Sequence, residues 1–199
     1  MRNAVVVSVA TILAGCAFSA QEPVVVKPEL VTHQSSIGSG KTVYVNVVDE
    51  RASKVLGTRG ARGVGAELTA ADSLVDSVRD SVSQGLRNQG FAIAAAVPPD
   101  GRTLRVEVRD LEYNVAVGFW SGTLRAQCAL KATCQVGPTL AYDKLFRGEH
   151  EESVQVVQGS DANVRYINDA VSKAVNQLVD DPELGQCLAS VPDLKSTAR

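Results

Sequence analysis

The chain has 199 residues, 45% of them apolar and 21% charged, with 20 Lys+Arg against 22 Asp+Glu and a formal net charge of −2. That length fits one domain or two very small ones, and the composition excludes a disordered or collagen-like chain. Without a basic excess nucleic acid is not an expected partner, and two histidines, one tryptophan and four cysteines leave little for histidine-based catalysis, a metal cage or a disulfide scaffold.

The chain opens as an export signal. Arg2 gives a positive start, and Ala4 to Ala14 is an apolar run broken only by Ser8 and Thr11. Such a run has signal-peptide length and is too short to span a bilayer as a helix. It ends in Leu13-Ala14-Gly15-Cys16, which matches the lipobox of bacterial lipoproteins. Small residues before the cysteine suit the signal peptidase, and the thiol carries the lipid. An ordinary secretory signal cut near Ala17 or Ala20 is the alternative, with Phe18-Ser19-Ala20 a poor cleavage site. Removal of residues 1–15 as signal peptide leaves 184 residues and a net charge of −3. Acyl chains on Cys16, at about 0.8 kcal/mol per buried methylene, would anchor the chain without a transmembrane helix. Ala17 is not the aspartate that retains lipoproteins in the inner membrane. The expected location is therefore the outer membrane, facing the periplasm, where thiols can form disulfides.

Residues 16–40 read as a lipidated N-terminus and flexible tether, with Pro23, Pro28 and the Gly/Ser run Ser35 to Gly40 as the signals. Val24-Val25-Val26 could add an edge strand. Residues 41–199 read as one periplasmic domain. Val43, Val45 and Val47 alternate along a first strand that stops at Asp49-Glu50-Arg51. Residues 51–67 carry Gly57, Gly60, Gly63 and Gly65 and read as a solvated connection. An anion-binding loop using Arg51, Lys54, Arg59 and Arg62 is the functional alternative, since glycine lets backbone N–H groups approach a phosphate. Leu68 to Gln89 has helical periodicity through Ala71, Val75, Val78, Val82 and Leu86, closed by Gly90. A short strand at Phe91–Ile93 follows.

Three long strands come next. The apolar phase shifts between Val108 and Leu111, which predicts a β-bulge near Arg109-Asp110. Leu124 to Val136 alternates strictly, so one face is buried and the other wet. Beyond Gly137-Pro138 a third strand runs from Leu140 to about Val157. Ser160 or Asp161 starts a last helix, Asp181-Pro182 closes it, and the rest reads as a fraying tail. The expected fold is α+β: a two-layer sandwich of a mostly antiparallel sheet of about four to five strands, with two helices on one face.

Cys128 and Cys134 point the same way but stand roughly 20 Å apart along their strand, which excludes a bridge or a shared metal. If a disulfide forms, Cys187 pairs with Cys134 or Cys128; otherwise the three thiols are small buried side chains. Glu149-His150-Glu151-Glu152 alternates across two faces, so no three of these groups converge, and a polar sheet edge is the expected role. Phe119-Trp120 lies in the connection between two strands, which marks a candidate partner-binding tip because tryptophan dominates interface hot spots; rings dipping into a membrane interface or folded back onto the sheet rim are the alternatives.

The lipobox, the tether, the Val43 to Arg51 strand, the helix ending Leu86-Arg87-Asn88-Gln89-Gly90-Phe91, the Cys128–Val156 hairpin and the final helix at Asp161–Val179 are together similar to the YajG-like family of Gram-negative lipoproteins. That resemblance implies a periplasm-facing lipoprotein and supplies no catalytic residue. The expected function is a non-catalytic, outer-membrane-anchored binding or assembly module with an envelope protein or polymer as partner and no cofactor. A small-ligand or lipid carrier and an envelope hydrolase built on His150 are the alternatives.

Overall fold

The computed structural model describes residues 20–31, 33–59, 65–117, 122–154 and 160–191. Cys16, Arg62, Phe119 and Trp120 lie outside them. The strands are β1 (Thr42–Asp49), β2 (Val55–Thr58), β3 (Glu67–Thr69), β4 (Ala92–Ala94), β5 (Thr103–Val117), β6 (Gly122–Val136) and β7 (Thr139–Val154). The helices are α1 (Leu74–Asn88), α2 (Ser160–Val179) and α3 (Pro182–Ala189).

The fold is α+β, but the sheet is mixed and has seven strands, not the smaller, mostly antiparallel sheet expected. The three long strands do form antiparallel hairpins, β5 with β6 and β6 with β7. β1, however, lies parallel to both β4 and β5, with α1 in the β1–β4 crossover. Parallel neighbours need such a long connection. β2 touches β5 in parallel at Gly57–Tyr113 and pairs antiparallel with β3. The expected bulge falls between Val108 and Asp110, where β5 loses β1 as its neighbour. A bulge sharpens local twist, and here it coincides with the exchange of one short neighbour for another.

One sheet face is dry. Leu104, Val106, Val108, Leu124, Ala126, Leu130, Ala132 and Cys134 are fully buried beneath Ile167, Val171, Ala174 and Leu178 of α2 and Val78, Val82 and Leu86 of α1. The opposite face carries charge that pairs across strands, Arg125 with Glu149 and Glu151 and Lys131 with Asp143, while Arg105 pairs with Glu107 on its own strand and with Glu50 beyond β1. Such half-exposed pairs contribute little stability each. They keep an open sheet face soluble.

The tail expected to fray instead folds into α3. Asp181 is its N-cap, accepting from the Leu184 N–H at 2.9 Å, and Pro182 occupies the first turn, where its missing N–H costs nothing. Leu184 and Leu188 are buried. Burial would raise the Asp181 carboxyl, but hydrogen bonds from Lys144, the Leu184 N–H and Tyr142 hold it below the usual aspartate range. A carboxyl depressed on folding stabilises the fold above its unfolded value, near 3.9, and the contribution disappears as pH falls through its folded value. Asp181→Ala should therefore cost about 1–2 kcal/mol near pH 7. In urea titrations that gap should shrink below about pH 4, and a gap unchanged by acid would remove Asp181 as its source.

Candidate functional site

Residues 20–40 are not the free tether that their composition suggests. Val24 and Val26 are fully buried, and Val24 bridges to β3's end through its N–H to Thr69 O (2.8 Å) and the Ala71 N–H to its carbonyl (2.9 Å). Beyond it the arm lies along α2. Lys27 N–H donates to Asn168 Oδ1 (2.6 Å), Glu29 N–H to Ser172 Oγ (2.9 Å) and Val31 N–H to Asn176 Oδ1 (2.8 Å), while Asn176 Nδ2 donates back to Glu29 O (2.8 Å). The match is one of pitch. Alternate N–H groups of an extended chain recur at about 6.6 Å, and residues four apart on a helix rise about 6.0 Å. Asn168, Ser172 and Asn176 thus read the arm's backbone, not its side chains. Polar residues at steps of four on an otherwise core-facing helix are the signal that sequence reasoning passed over.

The arm begins at one end of the sheet. Gln21 Oε1 accepts from Asn163 Nδ2 (3.0 Å), and Asn163 Oδ1 accepts from the Tyr113 hydroxyl (2.7 Å). Tyr113 and Asn163 are each 1% exposed. Burial pushes the Tyr113 hydroxyl above the ordinary tyrosine range, so it remains a proton donor. The chain enters and leaves this end repeatedly: β5 and β6 pair up to Val117 and Gly122, β7 ends opposite Gly122, and Arg59 N–H pairs with Ala66 O beyond β2. The connection holding Phe119-Trp120 and the glycine-rich connection therefore depart from the end where the arm starts.

Three of the four candidate anion ligands lie among the described residues, each in a different setting. Arg51 binds Asp49 through Nε and Nη2, both at 2.8 Å, and that bond holds the Asp49 carboxyl below its usual range. Its Nη1 is buried without a hydrogen-bond partner among the described residues. Lys54 is exposed and faces Asp72 at 3.5 Å. Arg59 is buried near Tyr113, and Arg62 lies outside the described residues. The Asp49-Glu50-Arg51 step thus fixes the end of β1, with Glu50 pairing to Arg105 at 3.0 Å.

His150 has more company than strand alternation allows. α2 crosses β7 closely at Gly148 and brings Asp169 to His150 Nδ1 at 2.7 Å, while Glu152 stands 3.4 Å from Nε2. The ring stacks on Tyr166 at 4.5 Å between centroids, and Lys173 pairs with Asp169 at 2.8 Å. His150 and Glu152 share a face as strand alternation predicts, and the third acid–base group comes from the helix. Both ring nitrogens already face carboxylates.

At the opposite end of the sheet, Cys134 and Cys187 are joined as a disulfide, with Cα atoms 6.5 Å apart. This fastens α3 to that end of the long hairpins, where Cys134 lies two residues from the end of β6. Cys128 is a free buried thiol, which burial pushes up to about 12. Beside α3 a groove of about 360 Å³ runs between the arm at His33 and Ile37, Gln89 and the α2–α3 turn at Asp180 and Asp181. Among the described residues no helix is long and apolar enough to cross a membrane.

Residues 28–189 match a family described as uncharacterised lipoproteins. The chain belongs to that family. The match begins within the docked arm, at residue 28, and runs to the end of α3. No curated protein sequence matches the chain. Among solved structures, this lipoprotein is similar to protein XCC0632 from Xanthomonas campestris, at 18% identity and TM-score 0.53, over 84% of this chain and 96% of that one. It is also similar to a neuraminyllactose-binding hemagglutinin homolog from Helicobacter pylori, at 9% identity and TM-score 0.50, over 86% and 96%. A minor lipoprotein from Acinetobacter baumannii aligns at 11% identity and TM-score 0.43, over 71% and 94%. At these identities the first two likenesses are likenesses of fold.

Proposed function

We propose that this lipoprotein is held in the outer membrane through Cys16 and acts as a non-catalytic binding or assembly module of the cell envelope. Its working end is the one where the arm starts and where the Phe119-Trp120 connection leaves the β5–β6 hairpin. The supporting observation is that convergence: the chain's one tryptophan belongs to a connection between two long paired strands, at the end of the sheet where the docked arm starts. Within the family we read the chain as YajG-like, on the Asp49-Glu50-Arg51 step and the lipobox.

Crosslinking in cells from a photoreactive residue at position 120 should capture an envelope protein or polymer. Trp120→Ser should abolish co-purification of that partner and leave the melting temperature nearly unchanged. Retention of the partner by Trp120→Ser would move the contact elsewhere.

An envelope hydrolase has one observation in its favour, the His150–Asp169 contact, since a carboxylate on Nδ1 is how a general-base histidine is oriented. Against it, Nε2 faces Glu152 and not a hydroxyl or thiol. The pair instead ties an edge strand to α2.

A further inference from the structure

We infer that the docked arm holds the domain in one orientation on its membrane, with the end that bears Gln21, Asn163 and Tyr113 against the lipid leaflet and the Cys134–Cys187 end directed away from it. The inference deepens the reading above and rests on Cys16 being the lipid-bearing residue.

The argument is one of reach. Five residues separate Cys16 from Gln21, and even fully extended they span at most about 18 Å. Gln21 is fastened to Asn163, which is itself bonded to buried Tyr113. From there the arm follows α2 from its first turn to its last, ending where His33 meets Asp180 at 3.0 Å. The twenty residues that would otherwise form a long leash are thus laid flat on the domain. Had the chain run free from Cys16 to Lys41, those 25 residues could have spanned about 85 Å, more than the domain's own length. β6 alone covers 15 residues, or about 50 Å. A leash longer than the body leaves orientation free, whereas one a third as long fixes which end faces the anchor. Any partner met at the arm's end is then met at the membrane surface, and the groove and disulfide face the aqueous side.

The single tryptophan is a built-in reporter for that end. Lipidated protein would be reconstituted into phosphatidylethanolamine/phosphatidylglycerol vesicles doped with a lipid carrying a nitroxide on its headgroup. Trp120 fluorescence should be quenched. In a Trp120→Phe background, Val191→Trp places the reporter beyond α3, where Val191 is 79% exposed, and should escape quenching. Insertion of a Gly/Ser segment of about 20 residues between Ser19 and Ala20, able to add about 70 Å of reach, leaves the described fold untouched and should abolish Trp120 quenching. Equal quenching of the two reporters, an unquenched Trp120, or quenching that survives the insertion would each overturn the inference. Palmitate labelling, present in the wild type and lost in Cys16→Ser, separates these results from a failure of the anchor: an unlabelled wild type removes the anchor and the inference together.

Discussion

Replacing Gly148 by alanine is expected to lower the stability of this lipoprotein by about 3 kcal/mol or more, at the upper end of overpacking costs. A Cβ at this position would stand 1.9 Å from the carbonyl oxygen of Ala170 and 2.6 Å from the amide nitrogen of Ala174. Both are backbone atoms of α2, so no side chain can rotate away. Relief requires the helix to withdraw from β7 by more than an ångström along its length. Ile167, Ala170, Val171 and Ala174, all fully buried, would lose contact together. The same withdrawal would part His150 from Asp169. Urea denaturation followed by circular dichroism measures the loss as a lower midpoint. A Gly148→Ala protein as stable as the wild type would mean that α2 and β7 do not approach this closely.

The second large effect is expected from the disulfide. Cys134 and Cys187 are 53 residues apart, and closing a loop of that size in the unfolded chain corresponds to about 4 kcal/mol in the chain-entropy account. Cys134→Ala/Cys187→Ala should therefore melt about 10 °C lower than the wild type, given roughly 2–4 °C per kcal/mol for a chain of this size. Dithiothreitol should bring the wild type to the same temperature and leave the double variant unmoved. Reduction should loosen α3 without freeing it, because Leu184, Leu188, the Asp181 cap and the bond from Arg102 to Ser190 O remain. Cys128→Ala is the control. Its thiol is free and buried, so its small cost should be insensitive to dithiothreitol. Equal stability of oxidised and reduced wild type would show that the bridge contributes nothing to the fold.

Local pattern carried the sequence reading wherever the pattern had a period. Val78, Val82 and Leu86 are the buried stripe of α1, Leu124 to Val136 is the buried row of β6, and the phase slip after Val108 is a bulge. Pairing between distant segments has no such signature. Nothing within Val43–Val47 states that β1 takes β4 and β5 as parallel neighbours. β2 and β3 are four and three residues long, too short for alternation to show; β2 sits in a stretch whose glycines suggested only a loop, and Leu68 and Thr69 of β3 fell at the start of the expected helix, which begins at Leu74. Asp181-Pro182 was legible as a helix end and served equally as a helix start, since an N-cap aspartate followed by proline marks both. At the candidate site, the His150 cluster needed Asp169 from another element. The arm was hidden because its recognition is by backbone: Lys27, Glu29 and Val31 share no side-chain chemistry, only the spacing of their amides.

The docking of the arm on α2 also orders events in time. Its hydrogen bonds join residues 141 to 147 positions apart, close to the greatest separation that the described fold contains. Chains are made from the N-terminus, so the arm is synthesised before the helix on which it docks. Val24 has its partners at the end of β3, but until α2 exists the amides of Lys27, Glu29 and Val31 have none. The strap that closes the structure is thus its oldest part, waiting through the whole of synthesis for its bed to be laid.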